Sequence, residues 1–285
     1  MKTLPGDRDF PAESFAQAGV VKVRNIVPAA SLQRLRATIR TILETELQRI
    51  DEQFRAPTPP NDPAPPDDFH DRIMWTAKNA PIALTRTINT IMQTASFLAI
   101  ACDQRIIQEA SKLLFGRADD IASLAVAELN FRVDLPSEFT SLERQFSLSW
   151  HQESGYFRDY VSHSQGLVLW IPVFDTGQLE GAIQVVPGSH REGHVSHEAV
   201  FMDPVNMRNK RQFLPERTFG NLVEHSIVVE AKAGDAIFMD FNLIHATGKN
   251  ANSRNVRCTI QARISNLLAP DFGCVPSAAD SAADL

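Results

Sequence analysis

The sequence has few cysteines, no long apolar run and no excess of positive charge. Its three cysteines form no C-x-x-C pair, and their odd number argues against a disulfide framework. No apolar run reaches the roughly eighteen residues of a membrane-spanning helix, and the N-terminus lacks the apolar stretch of a secretion signal. The formal net charge of −6 gives no electrostatic basis for binding nucleic acid. These absences predict a soluble, cytoplasmic protein whose partners are neither nucleic acid nor membrane.

The chain does have enough apolar residues to bury a full core. It contains 285 residues, of which 44% are hydrophobic, and this length fits one large domain. We predict a single domain over 1–285, with a helical portion over about 1–115 and a β core over about 116–268. The small, polar C-terminal stretch 276–285, "PSAADSAADL", is expected to be disordered.

The first third of the sequence has helical periodicity with one interruption. The stretches "SLQRLRATIRTILETELQRI" (31–50) and "DQRIIQEASKLLFG" (103–116) place apolar residues at helical spacing. Between them, the proline-rich stretch 56–68 can form neither a helix nor a central strand. Either a plain linker or a loop that covers a substrate fits this stretch.

After Gly116 the pattern changes to short β-rich runs such as "GLVLWIPVF", "SIVVE" and "DAIFMDF". Turn signals such as "DTGQ" and "KAGD" separate them, and no clear helix intervenes. Many short strands in succession predict an antiparallel barrel or jelly roll, so the fold class is mainly β with flanking helices.

The stretch "SLSWHQESGYF" (147–157) contains a candidate pair of metal ligands, His151 and Glu153. If the stretch is a strand, side chains two residues apart point to the same face. Eight histidines and 34 acidic residues in 285 positions give about one such match by chance, and His190 with Glu192 is a second match. His190 lies in a polar run typical of a loop, whereas His151 has aromatic neighbours.

A third candidate ligand, His245, ends the predicted strand of "GDAIFMDFNLIHATG" (234–248). Two histidines and a carboxylate form the ligand set of non-haem Fe(II) oxygenases, although the ligand types alone leave zinc open. In the next strand, "RCTIQARI" (257–264), the alternation places Arg257 and Arg263 on one polar face. An arginine there is either an ordinary surface residue or a bidentate partner for a carboxylate.

The order of these motifs resembles the phytanoyl-CoA dioxygenase family of Fe(II)/2-oxoglutarate oxygenases. "WHQESGYF", "GAIQVVPGSH", "GDAIFMDFNLIH" and a trailing arginine follow one another as they do in that family, over about residues 115–268. The resemblance implies a double-stranded β-helix core, cupin-like in fold. It also implies roles for seven residues: iron ligation by His151, Glu153 and His245, and contacts to 2-oxoglutarate by Arg257, Thr247, Trp170 and Asn130.

Two positions depart from the family pattern. Glu153 stands where the family usually has aspartate, which adds one methylene of reach. Arg257 stands one position later than the common spacing, so Arg254 in the preceding loop is a second candidate for the 2-oxoglutarate anchor. We favour Arg257 because it begins a strand.

The activity implied by the resemblance is a dioxygenase reaction with Fe(II), 2-oxoglutarate and O2. A C–H bond of a small organic molecule would be hydroxylated, with succinate and CO2 as co-products, in a setting such as secondary metabolism. Desaturation, epoxidation and cyclisation use the same cofactors and stay open, as does assembly into a homodimer. Two readings from other classes are a non-catalytic jelly-roll binding protein and a zinc hydrolase, although no H-E-x-x-H helix is present.

Overall fold

The computed structural model describes residues 2–3, 12–54, 65–139, 149–156, 161–203, 208–215, 221, 223–252 and 254–273. The predicted disordered tail (276–285) and most of the proline-rich stretch lie outside these residues. Among the helices that the structure describes, none is long and apolar enough to cross a membrane.

Within the described residues, six α-helices lie before residue 116, and they include both helices expected from the sequence. They are α1 (Ala12–Ala18), α2 (Ala29–Phe54), α3 (Phe69–Asn79), α4 (Pro81–Ile91), α5 (Ala95–Ala101) and α6 (Gln104–Phe115). Their ends follow local chemistry. The carboxylate of Asp103 accepts the backbone N–H of Arg105 at the start of α6, and Gly116 ends this helix in the left-handed conformation at φ 72°.

Eleven strands form two main sheets and one separate hairpin in the described part of the chain. The strands are β1 (Lys2–Thr3), β2 (Val20–Val23), β3 (Leu124–Asp134), β4 (Gly166–Pro172), β5 (Ile183–Val185), β6 (Glu198–Asp203), β7 (Arg208–Phe213), β8 (Ile227–Val229), β9 (Ala236–Asp240), β10 (His245–Ala246) and β11 (Arg257–Asn266). The larger sheet has the order β2-β9-β4-β11-β3, the smaller one β1-β8-β5-β10, and β6 pairs with β7. Except for the short β1–β8 pair, these pairings are antiparallel. The mainly β class with flanking helices is therefore confirmed.

Strand β11 has one apolar face and one polar face. Its side chains Cys258, Ile260, Ala262 and Ile264 pack in one cluster with buried residues of the helices. The alternate side chains point to the opposite face, because successive residues of a strand alternate in direction. On that face, apolar residues of β4 and β9 form a second cluster with residues of the smaller sheet. The helices thus cover one face of the larger sheet, and the polar face of β11 looks toward the smaller sheet.

Strand β3 contains a β-bulge opposite the middle of β11. Gln261 pairs with Asn130 but Arg263 pairs with Ala127, so β3 advances by three residues where β11 advances by two. Within the bulge, Glu128 has a φ of 47°, in the left-handed region that glycine adopts most easily. The side chain of Glu128 is exposed, so packing does not explain why a non-glycine residue holds this backbone conformation.

In a regular strand, valine is more stabilising than glycine, and the left-handed conformation of Glu128 predicts the reverse order at this position. A left-handed residue with a Cβ costs about 1–2 kcal/mol, and a β-branched side chain is the least tolerant of it. We expect Glu128→Val to lower the free energy of unfolding by about 1 kcal/mol and Glu128→Gly to preserve or raise it. Urea unfolding of both variants measures the difference.

The matched control is Ala125, which lies on β3 like Glu128 but pairs regularly with Ser265 of β11. There the ordinary order is expected, with valine more stable than glycine. If valine is preferred at both positions, the left-handed backbone at Glu128 is not what determines stability.

Candidate metal centre

A pair of backbone hydrogen bonds brings the two candidate histidines together. The N–H of His151 donates to the carbonyl of His245 at 3.0 Å, and the N–H of His245 donates to the carbonyl of His151 at 3.0 Å. Residues paired in this antiparallel manner present their side chains on the same face. The imidazole centroids are accordingly 4.2 Å apart. The backbone pairing therefore sets the positions of both rings.

Each imidazole has its Nδ1 engaged by the backbone. Nδ1 of His151 lies 2.7 Å from the Ser149 carbonyl, and Nδ1 of His245 lies 2.8 Å from the Leu243 carbonyl. A carbonyl can only accept, so each Nδ1 carries a hydrogen, and Nε2 is the ring nitrogen left to face a metal. Burial, and then the neighbouring His245 ring, lower the pKa of His151 well below its ordinary value. The His151 ring is therefore neutral at pH 7, as metal ligation requires.

The third ligand comes from a turn and not from a strand. His151 forms an isolated bridge, and Glu153 begins a short 3-10 helix (Glu153–Gly155), so the two residues do not lie side by side on one strand. The turn still directs Glu153 toward the histidines. Its Oε2 lies 3.5 Å from Nε2 of His245 and 3.9 Å from Nε2 of His151.

These three buried residues can hold one metal ion. Their ligand atoms all lie within 4.8 Å of one another. Two imidazoles and one carboxylate suit Fe(II), and the exposed fraction of each of the three residues is at most 4%. The donor set therefore fits the iron that the resemblance implies.

Arg263 of β11 contacts the carboxylate of Glu153 directly. Its Nε donates to Oε1 at 2.8 Å, and its Nη2 donates to the same oxygen. Burial opposes ionisation of Glu153, but the Arg263 guanidinium and the two imidazoles outweigh it and hold the pKa of Glu153 well below its usual range. Glu153 is thus a carboxylate at any pH near neutrality.

Arg257 lies at the start of the same strand and is also buried. Its Nη2 and Nε contact Oδ2 of Asp134 at 2.7 Å and 3.2 Å, and Arg132 contacts the other oxygen of Asp134 at 3.3 Å. The Nη1 of Arg257 is buried and has no hydrogen-bond partner among the residues that the structure describes. Arg254, the second candidate anchor, is exposed in the preceding loop. A guanidinium with a free buried N–H edge is suited to an incoming carboxylate.

One cavity brings most of the sequence-predicted residues together. It is lined by Arg132, His151, Glu153, Val168, Trp170, Ile183, Met239, His245, Thr247, Arg257, Gln261 and Arg263. Asn130 is on β3 opposite Gln261 but is not among the lining residues.

Sequence reasoning assigned no role to Arg263, Arg132 or Asp134. Alternation places Arg263 on the polar face of β11, but its partner Glu153 is 110 residues away in the chain.

The side chain of Gln152, between the two ligands, ties this loop to its neighbours. Its amide nitrogen donates to the carbonyls of Gly193 at 2.8 Å and Asn242 at 2.7 Å. Its amide oxygen accepts the N–H of Val195 at 2.8 Å. Because Asn242 lies shortly before His245, Gln152 connects the two segments that supply the candidate ligands.

The second H-x-E match does not join this cluster. His190 places Nε2 3.2 Å from the carbonyl of Ala16, and its ring packs against Gly19. Glu192 is exposed. His190 therefore contacts the N-terminal segment, and the pair serves as a natural control for the candidate metal ligands.

Comparisons with known proteins identify a family and several similar folds. The family model described as phytanoyl-CoA dioxygenase (PhyH) matches residues 15–258. The non-haem α-ketoglutarate-dependent epimerase SnoN from nogalamycin biosynthesis superposes with a TM-score of 0.53 at 15% identity, covering 93% of this chain and 88% of that one. EctD from S. alaskensis, solved with 2-oxoglutarate and 5-hydroxyectoine, gives a TM-score of 0.54 at 16% identity, covering 96% and 83%.

A third similar structure is the carbocyclase SnoK from nogalamycin biosynthesis, with a TM-score of 0.56 at 14% identity, covering 93% of this chain and 86% of that one. No curated protein gives a significant match. At these identities the structures establish a shared jelly-roll fold, while the family model spans most of the sequence. The chain belongs to the phytanoyl-CoA dioxygenase family of non-haem Fe(II)/2-oxoglutarate-dependent enzymes.

Proposed function

We propose that residues 1–285 form one oxygenase domain that uses Fe(II), 2-oxoglutarate and O2 to oxidise a C–H bond of a small organic molecule. Hydroxylation is the reaction that we favour, with succinate and CO2 as co-products. The observation that carries this proposal is the convergence of His151, Glu153 and His245 in a cavity that also contains the buried N–H edge of Arg257. The first three would hold Fe(II), which supplies the redox chemistry that couples O2 to substrate oxidation.

Three residues of the cavity, Arg257, Thr247 and Trp170, would bind and orient 2-oxoglutarate. Arg257 donates a charge-assisted hydrogen bond from Nη1 to the distal carboxylate, while Asp134 holds the other edge of its guanidinium. Thr247, which also lines the cavity, donates its hydroxyl to the same carboxylate, and Trp170 forms part of the wall. Asn130 would contact the other end of 2-oxoglutarate only by turning toward the cavity from β3.

The apolar wall of the cavity would exclude water from the reaction. Val168, Trp170, Ile183 and Met239 line it, and all four belong to the buried cluster between the two sheets. Exclusion of water limits side reactions of the oxidant and strengthens the ion pairs inside the site. An oxygenase needs such a wall to exclude water, whereas a module that binds a fully solvated ligand does not.

The substrate class follows from relatives only in outline. SnoN and SnoK belong to nogalamycin biosynthesis, and EctD is solved with 5-hydroxyectoine, so similar folds act on small molecules. A small molecule of secondary metabolism is therefore our expectation here. Desaturation, epoxidation and cyclisation remain alternatives with the same cofactors. Halogenation is disfavoured because Glu153 occupies the position that halogenases need to leave to chloride.

Metal dependence is the test of this proposal. Purified protein with added Fe(II) is expected to convert 2-oxoglutarate to succinate, and the rate should fall to background after EDTA treatment and return with Fe(II). The physical reason is that all the redox chemistry depends on the metal, since the protein supplies only the ligands. Succinate measured by chromatography gives the rate.

The alternatives predict different outcomes in the same assay. A non-catalytic jelly-roll protein would release no succinate at any Fe(II) concentration. A zinc hydrolase would also release no succinate, because zinc has no redox chemistry, and it would instead hydrolyse its substrate when Zn²⁺ is added. The oxygenase is inhibited when Zn²⁺ replaces Fe(II) at its ligands. Succinate formation that survives chelation would contradict the oxygenase proposal.

A further inference from the structure

The two oxygens of the Glu153 carboxylate have different partners. Oε1 accepts two hydrogen bonds from Arg263, one from Nε at 2.8 Å and one from Nη2. Oε2 faces the two imidazoles, 3.5 Å and 3.9 Å from their Nε2 atoms. The carboxylate is thus divided into one oxygen held by an arginine and one oxygen directed at the metal position.

Arg263 is itself held in place on its far side. Its Nη1 donates to the carbonyl of Glu128 at 3.2 Å. Glu128 is the left-handed residue of the bulge in β3, and Arg263 pairs with Ala127 immediately beyond that bulge. Bulges next to active sites commonly redirect a group of the backbone or a side chain. Here the bulge supplies an acceptor that fixes the guanidinium independently of Glu153.

A glutamate ligand creates a difficulty that this arrangement resolves. Its extra methylene, compared with the aspartate usual in the family, gives the carboxylate more freedom to turn. A carboxylate can bind a metal through one oxygen or through both, and the second oxygen then occupies a further coordination position. The proposed reaction needs open positions for 2-oxoglutarate and O2. A glutamate that is free to turn would compete for one of them.

We propose that Arg263 is a positioning residue that reserves Oε1 of Glu153, so that only Oε2 is available to the metal and the adjacent position stays open for 2-oxoglutarate. The inference rests on the proposed function and adds a residue to it. An arginine suits this task better than a lysine, because its planar fork directs two N–H groups at one oxygen and stays charged when buried. The exposed fractions of the Arg263 and Glu153 side chains are 6% and 3%, so solvent does not weaken the contact.

A double-mutant cycle between Arg263→Met and Glu153→Asp tests the inference without relying on turnover. Co(II) serves as the metal probe, and calorimetry gives the affinity of each protein for Co(II) and of each Co(II)-loaded protein for 2-oxoglutarate. In the Glu153 background, we expect Arg263→Met to weaken 2-oxoglutarate binding at least tenfold and to lower Co(II) affinity no more than threefold. In the Glu153→Asp background, the shorter side chain needs no restraint, so Arg263→Met should change 2-oxoglutarate binding less than threefold.

The visible absorption of bound Co(II) reports the number of its ligands and provides a second readout. Arg263→Met should change this spectrum before 2-oxoglutarate is added, in the direction of higher coordination number. Arg132→Met is the matched control, because Arg132 lines the same cavity but contacts Asp134 and not Glu153. Its Co(II) spectrum should match that of the wild type. The midpoint of thermal unfolding, measured for each variant, identifies any loss of folding.

The possible outcomes separate the inference from the function on which it rests. If wild-type protein loaded with Co(II) binds no 2-oxoglutarate, the proposed function fails and the inference fails with it. If the wild type binds 2-oxoglutarate and Arg263→Met binds it within threefold as well, the inference alone is wrong. An equal loss in the wild-type and Glu153→Asp backgrounds would also overturn it, since a purely structural arginine would act in both. If Glu153→Asp binds no Co(II), the cycle cannot be completed and the Co(II) spectra provide the test instead. The inference is then rejected if Arg263→Met and Arg132→Met give the same spectrum.

Discussion

Alanine at His151 or His245, or glutamine at Glu153, is expected to abolish the conversion of 2-oxoglutarate to succinate. Each change removes one of three metal ligands, so the rate should fall by more than the roughly 10–100-fold that loss of an outer hydrogen-bond partner causes. Glutamine is the sharper change at Glu153, because its amide oxygen still accepts from Arg263 whereas alanine would leave that arginine buried without its partner. Succinate formation and bound iron should be measured together, and both should be lost.

His190→Ala and Glu192→Ala are the controls for this result. They form the same H-x-E pattern, but His190 packs against the N-terminal segment and Glu192 is exposed. Both variants should keep most of the turnover and all of the iron. If turnover is lost in the His190 and Glu192 variants and kept in the His151 and Glu153 variants, the metal lies elsewhere.

Arg257→Lys is expected to raise the 2-oxoglutarate concentration needed for half-maximal rate by about tenfold to a hundredfold. The lysine keeps the charge and a partner for Asp134 but loses the second nitrogen, Nη1, that the distal carboxylate would bind. A hydrogen bond to a charged group contributes about 1.5–3 kcal/mol, which corresponds to this range. Arg257→Ala should have an effect at least as large, but it also leaves Asp134 with Arg132 as its remaining partner and should lower stability. Iron content should be unchanged in the lysine variant, because Arg257 contacts none of the three ligands.

Arg254→Ala is the matched control for the anchor. Arg254 lies in the loop just before Arg257, and its side chain is exposed. A titration of 2-oxoglutarate against succinate formation should give the wild-type value for this variant. If Arg254→Ala shows the large shift and Arg257→Lys does not, the anchor is assigned to the wrong residue, while the metal ligands would stand.

The sequence predicts the fold class well because each signal is local. The apolar spacing of α2 and α6 and the alternation of β11 act over a few residues, and the structure has all three elements. The turn at Glu153 was not predictable in this way. His151 pairs with His245, which comes much later in the sequence, and Glu153 then begins a 3-10 helix, so the two residues do not share one continuous strand.

The candidate ligands could be found from motif order, whereas their supporting contacts could not. Arg263 and Glu153 meet because the fold closes a loop of 110 residues, and no local pattern encodes that closure. The same holds for Asp134, which is 123 residues from Arg257 in sequence and contacts it across neighbouring strands. Arg263 and Asp134 are ordinary charged residues in the sequence, and their roles follow from burial and pairing.

The pairing of Glu153 with Arg263 has a consequence for the order in which the protein is assembled in the cell. In many small metalloproteins the ligands have no other partners, so the polypeptide cannot fold until the ion arrives. Here the carboxylate has Arg263, and both imidazoles donate Nδ1–H to backbone carbonyls. None of the three ligands depends on the ion to offset its burial. We therefore expect the newly made chain to complete its fold before it acquires iron, and we expect a chelator to remove the ion and leave a folded protein that can be reloaded.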